Sequence, residues 1–244
     1  MKDCILNFRW LFFILIASCF HSEANTLLLT TDDGPPHIIK ETHGGIDIEI
    51  TKSVLALMGY RADVMYAPLS RGLLLVEKGK ADLTVPTFFQ QDNDSLFFSK
   101  AIIEYKPTVF SLVESGFKFL SLEDISGVNV STFQGATGYF GKSFVAMTHV
   151  TNYTEHHDMS TLPLFLVQRK SDLVILDYYI FHYFLRKQLP AFPKSAIREH
   201  ALIPSVSAHV GFNSKHLRDE FNQKLLLFTK NGGDRKIIKK YVGK

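Results

Sequence analysis

The residues of this 244-residue chain that could do chemistry fall in a few short runs. Ala136-Thr137-Gly138-Tyr139-Phe140-Gly141-Lys142-Ser143 satisfies a loosened phosphate-loop pattern, and Leu173 to Asp177 (LVILD) imitates the acidic strand that helps to hold magnesium. The first strict glycine is missing and Tyr139 and Phe140 crowd the turn, so nucleotide binding is a poor expectation. Glu155-His156-His157-Asp158 has metal-ligating residue types, but neighbours on a strand point to opposite faces, and no metal is expected. Backbone N–H groups at Gly135 to Thr137 and the Thr137 hydroxyl offer donors to a carboxylate or phosphate; alternatively Thr137 caps its own helix. Asp177, ending an apolar strand, would pair with a cation in a poorly solvated cleft or serve as the N-cap of a helix from Tyr178 onward. Arg71, opening a helix, could reach an anionic group or salt-bridge on the surface. Asp32-Asp33-Gly34-Pro35-Pro36-His37 must be a loop, either a rigid exposed turn or one of the scaffold-held loops on which functional groups concentrate. There is no nucleophile elbow and no recognisable acid–base pair, so no catalytic residue and no cofactor are assigned.

The elements that must position these residues alternate. Leu27 to Thr31 reads as a strand, and Ile46, Ile50, Val54 and Leu57 recur at helical spacing up to a stop at Gly59. Ala62 to Tyr66 predicts a strand, Ser70 to Glu77 a helix and Asp82 to Pro86 a strand. Beyond Ser121 the alternation returns: strand Val128 to Thr132, helix from about Gly138, strand near Asn152, helix Ser160 to Gln168 and strand Leu173 to Leu176. Strands alternating with helices predict parallel α/β sheets. Thr108 to Val113 is an extra strand with no helix before it, and Glu114-Ser115-Gly116 reads as the connector where the chain crosses between two halves. Leu217, Phe221, Leu225 and Phe228 form one helical stripe, followed by an Asn231-Gly232-Gly233 break and a short lysine-rich helix carrying Ile237, Ile238 and Tyr241. Those lysines read as a solvated face, since no aromatic residues interleave a basic groove pattern, and nucleic acid is not an expected partner.

Composition narrows the class. With 27 Lys+Arg against 24 Asp+Glu, a net charge of +3 and 46% hydrophobic residues, the chain is neither disordered nor strongly polarised. Lys2 and Arg9 precede the apolar run Trp10 to Ala17, which is too short to span a bilayer and resembles a secretory signal peptide. Ser22-Glu23-Ala24 offers small residues for cleavage after Ala24; Ile16-Ala17-Ser18-Cys19 offers a loose lipobox in which Cys19 would carry lipid. Cleavage at Ala24 removes Lys2, Asp3, Arg9 and Glu23, leaving 25 basic and 22 acidic residues. It also removes both cysteines and the single tryptophan, so thiolate catalysis and disulfides are excluded from the mature chain.

Taken in order, Gly-Pro-Pro-His after the first strand, GGIDIEI, PLSRGLLLVEKGKADL, SLEDISGVNVSTFQG, DLVILD and FNSKHLRDEFNQKLLLFTKNGGDRKIIKKYVG resemble the family 3 extracellular solute-binding proteins. The resemblance spans nearly the whole mature chain. It implies a two-lobed α/β clamp of type II periplasmic-binding-protein topology, each lobe a mostly parallel sheet flanked by helices. Lobe 1 would be residues 25–104 plus 206–244, and lobe 2 residues 105–205. It further implies ligand-facing roles for Asp33, Pro36 and His37 in the first loop, for Thr87 and Phe88 after the third strand, and for Gly135 and Thr137. Asp177 matches the acid that typically holds a ligand amino group, and Arg71 resembles the position of an arginine in some stand-alone members. Amino-acid binders of the family usually carry an arginine after strand three; here that stretch reads TFFQQDNDSLFFSK, without one. The usual stacking aromatics are replaced by Gly34 and Leu69. The expectation is therefore a monomeric, exported, periplasmic protein that captures a small polar molecule, not a standard amino acid, and presents it to a membrane permease or a sensor kinase. A dehydratase-like enzyme on the same scaffold is the alternative.

Overall fold

The structure, a computed structural model, describes residues 25–88 and 91–243. The segment expected to be a signal peptide, with its cleavage and lipidation alternatives, lies outside the described residues. The first half runs β1 (Thr26–Thr31), α1 (Ile46–Leu57), β2 (Arg61–Tyr66), α2 (Leu69–Glu77) and β3 (Leu83–Thr87), as the periodicity predicts. Two short strands follow, β4 (Phe97–Phe98) and β5 (Ile103–Tyr105). The second half runs β6 (Pro107–Leu112), β7 (Asn129–Phe133), α3 (Ala136–Tyr139), α4 (Lys142–Thr148), β8 (Asn152–His156), α5 (Leu162–Val167), β9 (Leu173–Asp177), α6 (Tyr178–Gln188) and β10 (Ile197–His200). The chain closes with β11 (Val206–Phe212), α7 (Lys215–Lys230) and α8 (Gly233–Val242).

These elements build two sheets. The first has the order β2-β1-β3-β11-β4, with β5 also paired to β11; the second has the order β10-β6-β9-β7-β8. In each sheet the strands joined by helices pair in parallel, β1 with β2 and β3, and β7 with β8 and β9. The remaining pairings, of β11 in the first sheet and β6 in the second, are antiparallel, so both sheets are mixed. Parallel strands covered on both faces must be apolar throughout, and β3 and β9 are buried at every residue.

The crossing point differs from the expected connector. β5 still belongs to the first sheet and β6 already to the second, so the chain passes between them at Lys106. Glu114 to Gly116 lies further on, in a short 3-10 turn beyond β6, closed by Gly116 in the left-handed region. The helix expected from Gly138 is two short helices, broken where Gly141 adopts φ 82°.

One core joins Leu29, Ile50, Val85, Phe212 and Phe221 around the first sheet. The second sheet carries a core on each face, one holding Ile125, Phe144 and Ile175, the other Phe110, Phe181 and Leu185. Helix α6 serves both lobes: Phe181 and Leu185 pack under the second sheet, while Tyr179 joins the first core. Its Arg186 guanidinium donates to the Lys240 and Tyr241 carbonyls at the end of α8. No helix among the described residues is long and apolar enough to cross a membrane.

Candidate functional site

The carboxyl ends of the parallel strands converge from both sheets, the usual position for ligands on open α/β sheets. From the first sheet, Thr84, Pro86, Thr87 and Phe88 with Leu69, Ser70 and Leu73 line a hollow of about 300 Å³. From the second, Phe133, Leu176 and Asp177 with Tyr139, Phe140, Met159 and Ile180 line one of about 200 Å³, closed on the hinge side by Tyr105 and Pro107. Phe88 connects them, its ring edge-on to Tyr105 at 5.2 Å and to Tyr139 at 6.2 Å between centroids. The larger hollow of about 590 Å³ between α1, α7 and α8 lies away from these strand ends and gathers Leu57, Leu227, Phe228 and Ile237 with Lys224 and Lys236 at its rim.

Behind Tyr105 lies a buried charge cluster that joins the lobes. His37 is 1% exposed. Its Nδ1 meets Asp47 Oδ1 at 2.9 Å, and its Nε2 meets Asp177 Oδ1 at 3.3 Å. Its ring stacks on Tyr105 at 3.8 Å, and the Tyr105 hydroxyl donates to Asp47 Oδ2 at 2.8 Å. Burial alone would lower the pKa of the imidazole; the two carboxylates outweigh it and lift it to about 9. With a carboxylate on each nitrogen, His37 is a doubly donating imidazolium. Burial opposes ionisation of Asp177, but His37 and the Lys106 and Ile180 backbone N–H groups hold its carboxyl below the ordinary value. Burial, reinforced by Asp47, pushes the Tyr105 phenol well above its usual range. A His between two Asp residues resembles acid–base machinery, but both ring nitrogens are occupied and the ring has no face free for a substrate. The cluster is fitted to hold the lobes together, not to move protons.

The first loop thus divides. Pro36 and His37 point inward, the Pro36 carbonyl accepting from the Ile46 N–H. Asp33 stays exposed, its carboxylate accepting from the Lys40 N–H at 3.1 Å, as a turn residue does. The expectation of a ligand-facing ring at His37 is corrected: burial against Asp47, Asp177 and Tyr105 removes it from the cleft surface. Asp177 lines the hollow and also caps α6, accepting from the Tyr179 and Ile180 N–H groups at 2.8 and 3.2 Å and from Lys106 N–H at 2.7 Å.

The donors at Gly135 and Thr137 are likewise occupied from within. Glu155 on β8 accepts from Gly135 N–H at 2.8 Å, from the Thr137 N–H and hydroxyl at 3.4 Å, and from the Tyr153 hydroxyl at 2.7 Å. Gly135, not Thr137, is the N-cap of the single-turn helix α3. The capping alternative for Thr137 is corrected, and its N–H and hydroxyl face the carboxylate of a neighbouring strand. The phosphate-loop likeness fails for a related reason, since Gly138 and Phe140 N–H groups bond to the Gly135 and Ala136 carbonyls. The acidic-histidine run disperses: His156 meets Ser131, His157 meets Gln134, and Asp158 accepts from Ser160 N–H. Thr87 and Phe88 line the first-sheet hollow. Arg71 is exposed on α2, lines neither hollow and makes no hydrogen bond or ion pair among the described residues.

Sequence reasoning missed Asp47, Tyr105, Tyr139, Phe133, Phe140 and Glu155. Asp47 sits in GGIDIEI, where an acid in the first turn of a helix reads as an ordinary dipole partner. Tyr139 was legible only as bulk in a turn, although its phenol is raised by burial and by the Asp177 carboxylate beside it.

Two mixed sheets, a single outward crossing at Lys106, a return before Val206 and a cleft at the strand ends define the two-lobed fold of periplasmic binding proteins. No protein-family model and no curated protein sequence matches the chain. Among solved structures it is similar to an ancestral cationic amino-acid solute-binding protein, at 17% identity and a TM-score of 0.71, covering 89% of this chain and 96% of that one. It is also similar to the L-cystine solute receptor of Neisseria gonorrhoeae in its unliganded open conformation, at 16% identity and TM-score 0.68, over 91% and 94% of the two chains. The GluR0 ligand-binding core complexed with L-glutamate matches at 13% identity and TM-score 0.67, over 91% and 100%.

Proposed function

We propose that this chain is an exported solute-binding protein of the family 3 kind. It closes residues 25–104 plus 206–244 and residues 105–205 around one small molecule and presents it to a membrane transporter or sensor in the periplasm. The observation that carries this reading is the convergence of strand ends from both sheets on one ring-lined cleft, with Phe88 of one lobe meeting Tyr139 of the other. Binding is favoured over turnover because His37, buried between Asp47 and Asp177, has both ring nitrogens engaged and none left to exchange a proton with a ligand. The solved neighbours, among them a solute-binding protein and a solute receptor, support the same reading.

A dye-based thermal shift of the exported protein against a metabolite panel tests it, dye-based because Trp10 is the only tryptophan and precedes Ala24. A ligand at about 100 times its Kd stabilises the native state by about 2.7 kcal/mol, enough to move the midpoint by several degrees. A selective shift that leaves the compound chemically unchanged by NMR supports binding. Product formation would establish the enzyme alternative, and no shift with any compound would count against solute capture.

A further inference from the structure

The clamp reading, on which the following rests, leaves the ligand unspecified, and the cleft itself narrows it. On the second-lobe side, the hydrogen-bonding groups that would recognise a zwitterion are already engaged within the chain. Glu155 takes the donors of Gly135 and Thr137, and Asp177 accepts from three backbone N–H groups and His37. What faces the 200 Å³ hollow is mainly ring surface, from Tyr105, Phe133, Tyr139 and Phe140, with Phe88 closing it from the other lobe.

The charges do not balance. Asp47 and Asp177 are two buried carboxylates sharing one imidazolium, and Asp177 borders the hollow. Lys106, which follows Tyr105 in the chain, is exposed with its ammonium over the Tyr179 ring at 5.7 Å, and it forms no ion pair with Asp177. Arg71 lies outside both hollows. A site with a net negative floor and apolar, aromatic walls attracts a cation that asks for no hydrogen bonds in return. We propose that the cleft takes an organic cation whose charge sits on a fully alkylated nitrogen, of the quaternary-ammonium class, held by the faces of Tyr139, Phe88 and Tyr105 above Asp177. An amino acid would need a partner for its carboxylate where Glu155 already stands. A neutral apolar molecule would fill the rings but leave the charge uncompensated.

Isothermal titration of the exported protein with choline, with its neutral isostere 3,3-dimethylbutan-1-ol, and with L-arginine and L-glutamate tests the assignment. Choline is expected to bind about tenfold or more tightly than the isostere. Tyr139→Leu and Phe88→Leu should each weaken choline about fivefold or more with the thermal midpoint preserved; Tyr139 is 46% exposed, so its loss spares the core. Equal binding of the isostere, tighter binding of either amino acid, or a metabolite-panel ligand without a fixed cationic charge would overturn the quaternary-ammonium assignment and leave the clamp standing. A panel ligand that is itself a quaternary ammonium supports it. No binding by any of the four, with no shift across the panel, overturns both.

Discussion

His37 shows how a residue's chemistry is set by partners far along the chain. Asp47 lies 10 residues away and Asp177 lies 140 away, one in each lobe. Because its folded pKa of about 9 exceeds the ordinary value of 6.5, protonation favours the folded state. That contribution is complete below about pH 6.5 and is lost as pH rises through 9. The melting midpoint is therefore expected to fall by several degrees between pH 6.5 and 9, and a His37→Gln protein should show a flatter profile over that window when both are melted in parallel. Asp177→Asn removes one carboxylate from the cluster and should cost about 3 kcal/mol in urea denaturation near neutral pH. Unchanged stability would mean that the cluster does not join the lobes as described. The sequence placed Asp177 correctly, at a strand end and a helix start, because both cues are local. It could not show that His37 occupies the carboxylate, since that contact is made only when the lobes meet.

At the scale of elements, the turn from the first loop into α1 is the most constrained. Gly45 has φ 113°, a conformation side chains rarely adopt, and a Cβ there would sit 2.3 Å from the His37 carbonyl oxygen. Gly45→Ala is expected to destabilise by at least about 2 kcal/mol in chemical denaturation, and to displace His37 from Asp47. Its backbone N–H also receives support from the far end of the chain, donating to the Tyr241 hydroxyl on α8 at 2.9 Å. The strands and helices of each parallel unit were legible because their apolar periodicity is local: β1, α1, β2, α2 and β3 all appear within a residue or two of the expected bounds. The strands β4, β5, β10 and β11 were not. β4, β5 and β10 are short, and all four strands pair antiparallel with distant partners, so they owe their conformation to strands built elsewhere in the sheets. The break of one expected helix into α3 and α4 follows from Gly141, whose positive φ cannot continue a helix.

For the whole molecule, the lobes are not independent bodies joined by strands alone. Helix α6 lends Tyr179 to one core and Phe181 to the other, and Arg186 ties it to α8. Thermal unfolding followed by calorimetry is expected to show one transition with equal calorimetric and van't Hoff enthalpies; two resolved transitions would refute the shared packing. A ligand of the cleft should shrink the radius of gyration in solution scattering, because it holds closed the lobes across which Phe88 meets Tyr139, against a free protein that opens to admit it. A liganded protein with unchanged scattering would place binding outside the interlobe cleft.

The amino-acid sequence by itself determined the α/β class, the order of the parallel units and the loops at their strand ends, because periodicity, glycine stops and apolar strands act over a few residues. It also marked Thr87, Phe88 and Asp177 as residues at strand ends. Only the tertiary structure decided which groups remain free there. Glu155 reaches Gly135 and Thr137 from a neighbouring strand, and His37 reaches Asp177 from the other lobe. Both contacts satisfy polar groups that the sequence shows as open; for His37 and Asp177 the reason is burial, since a buried donor or acceptor takes whatever partner the folded chain brings within reach.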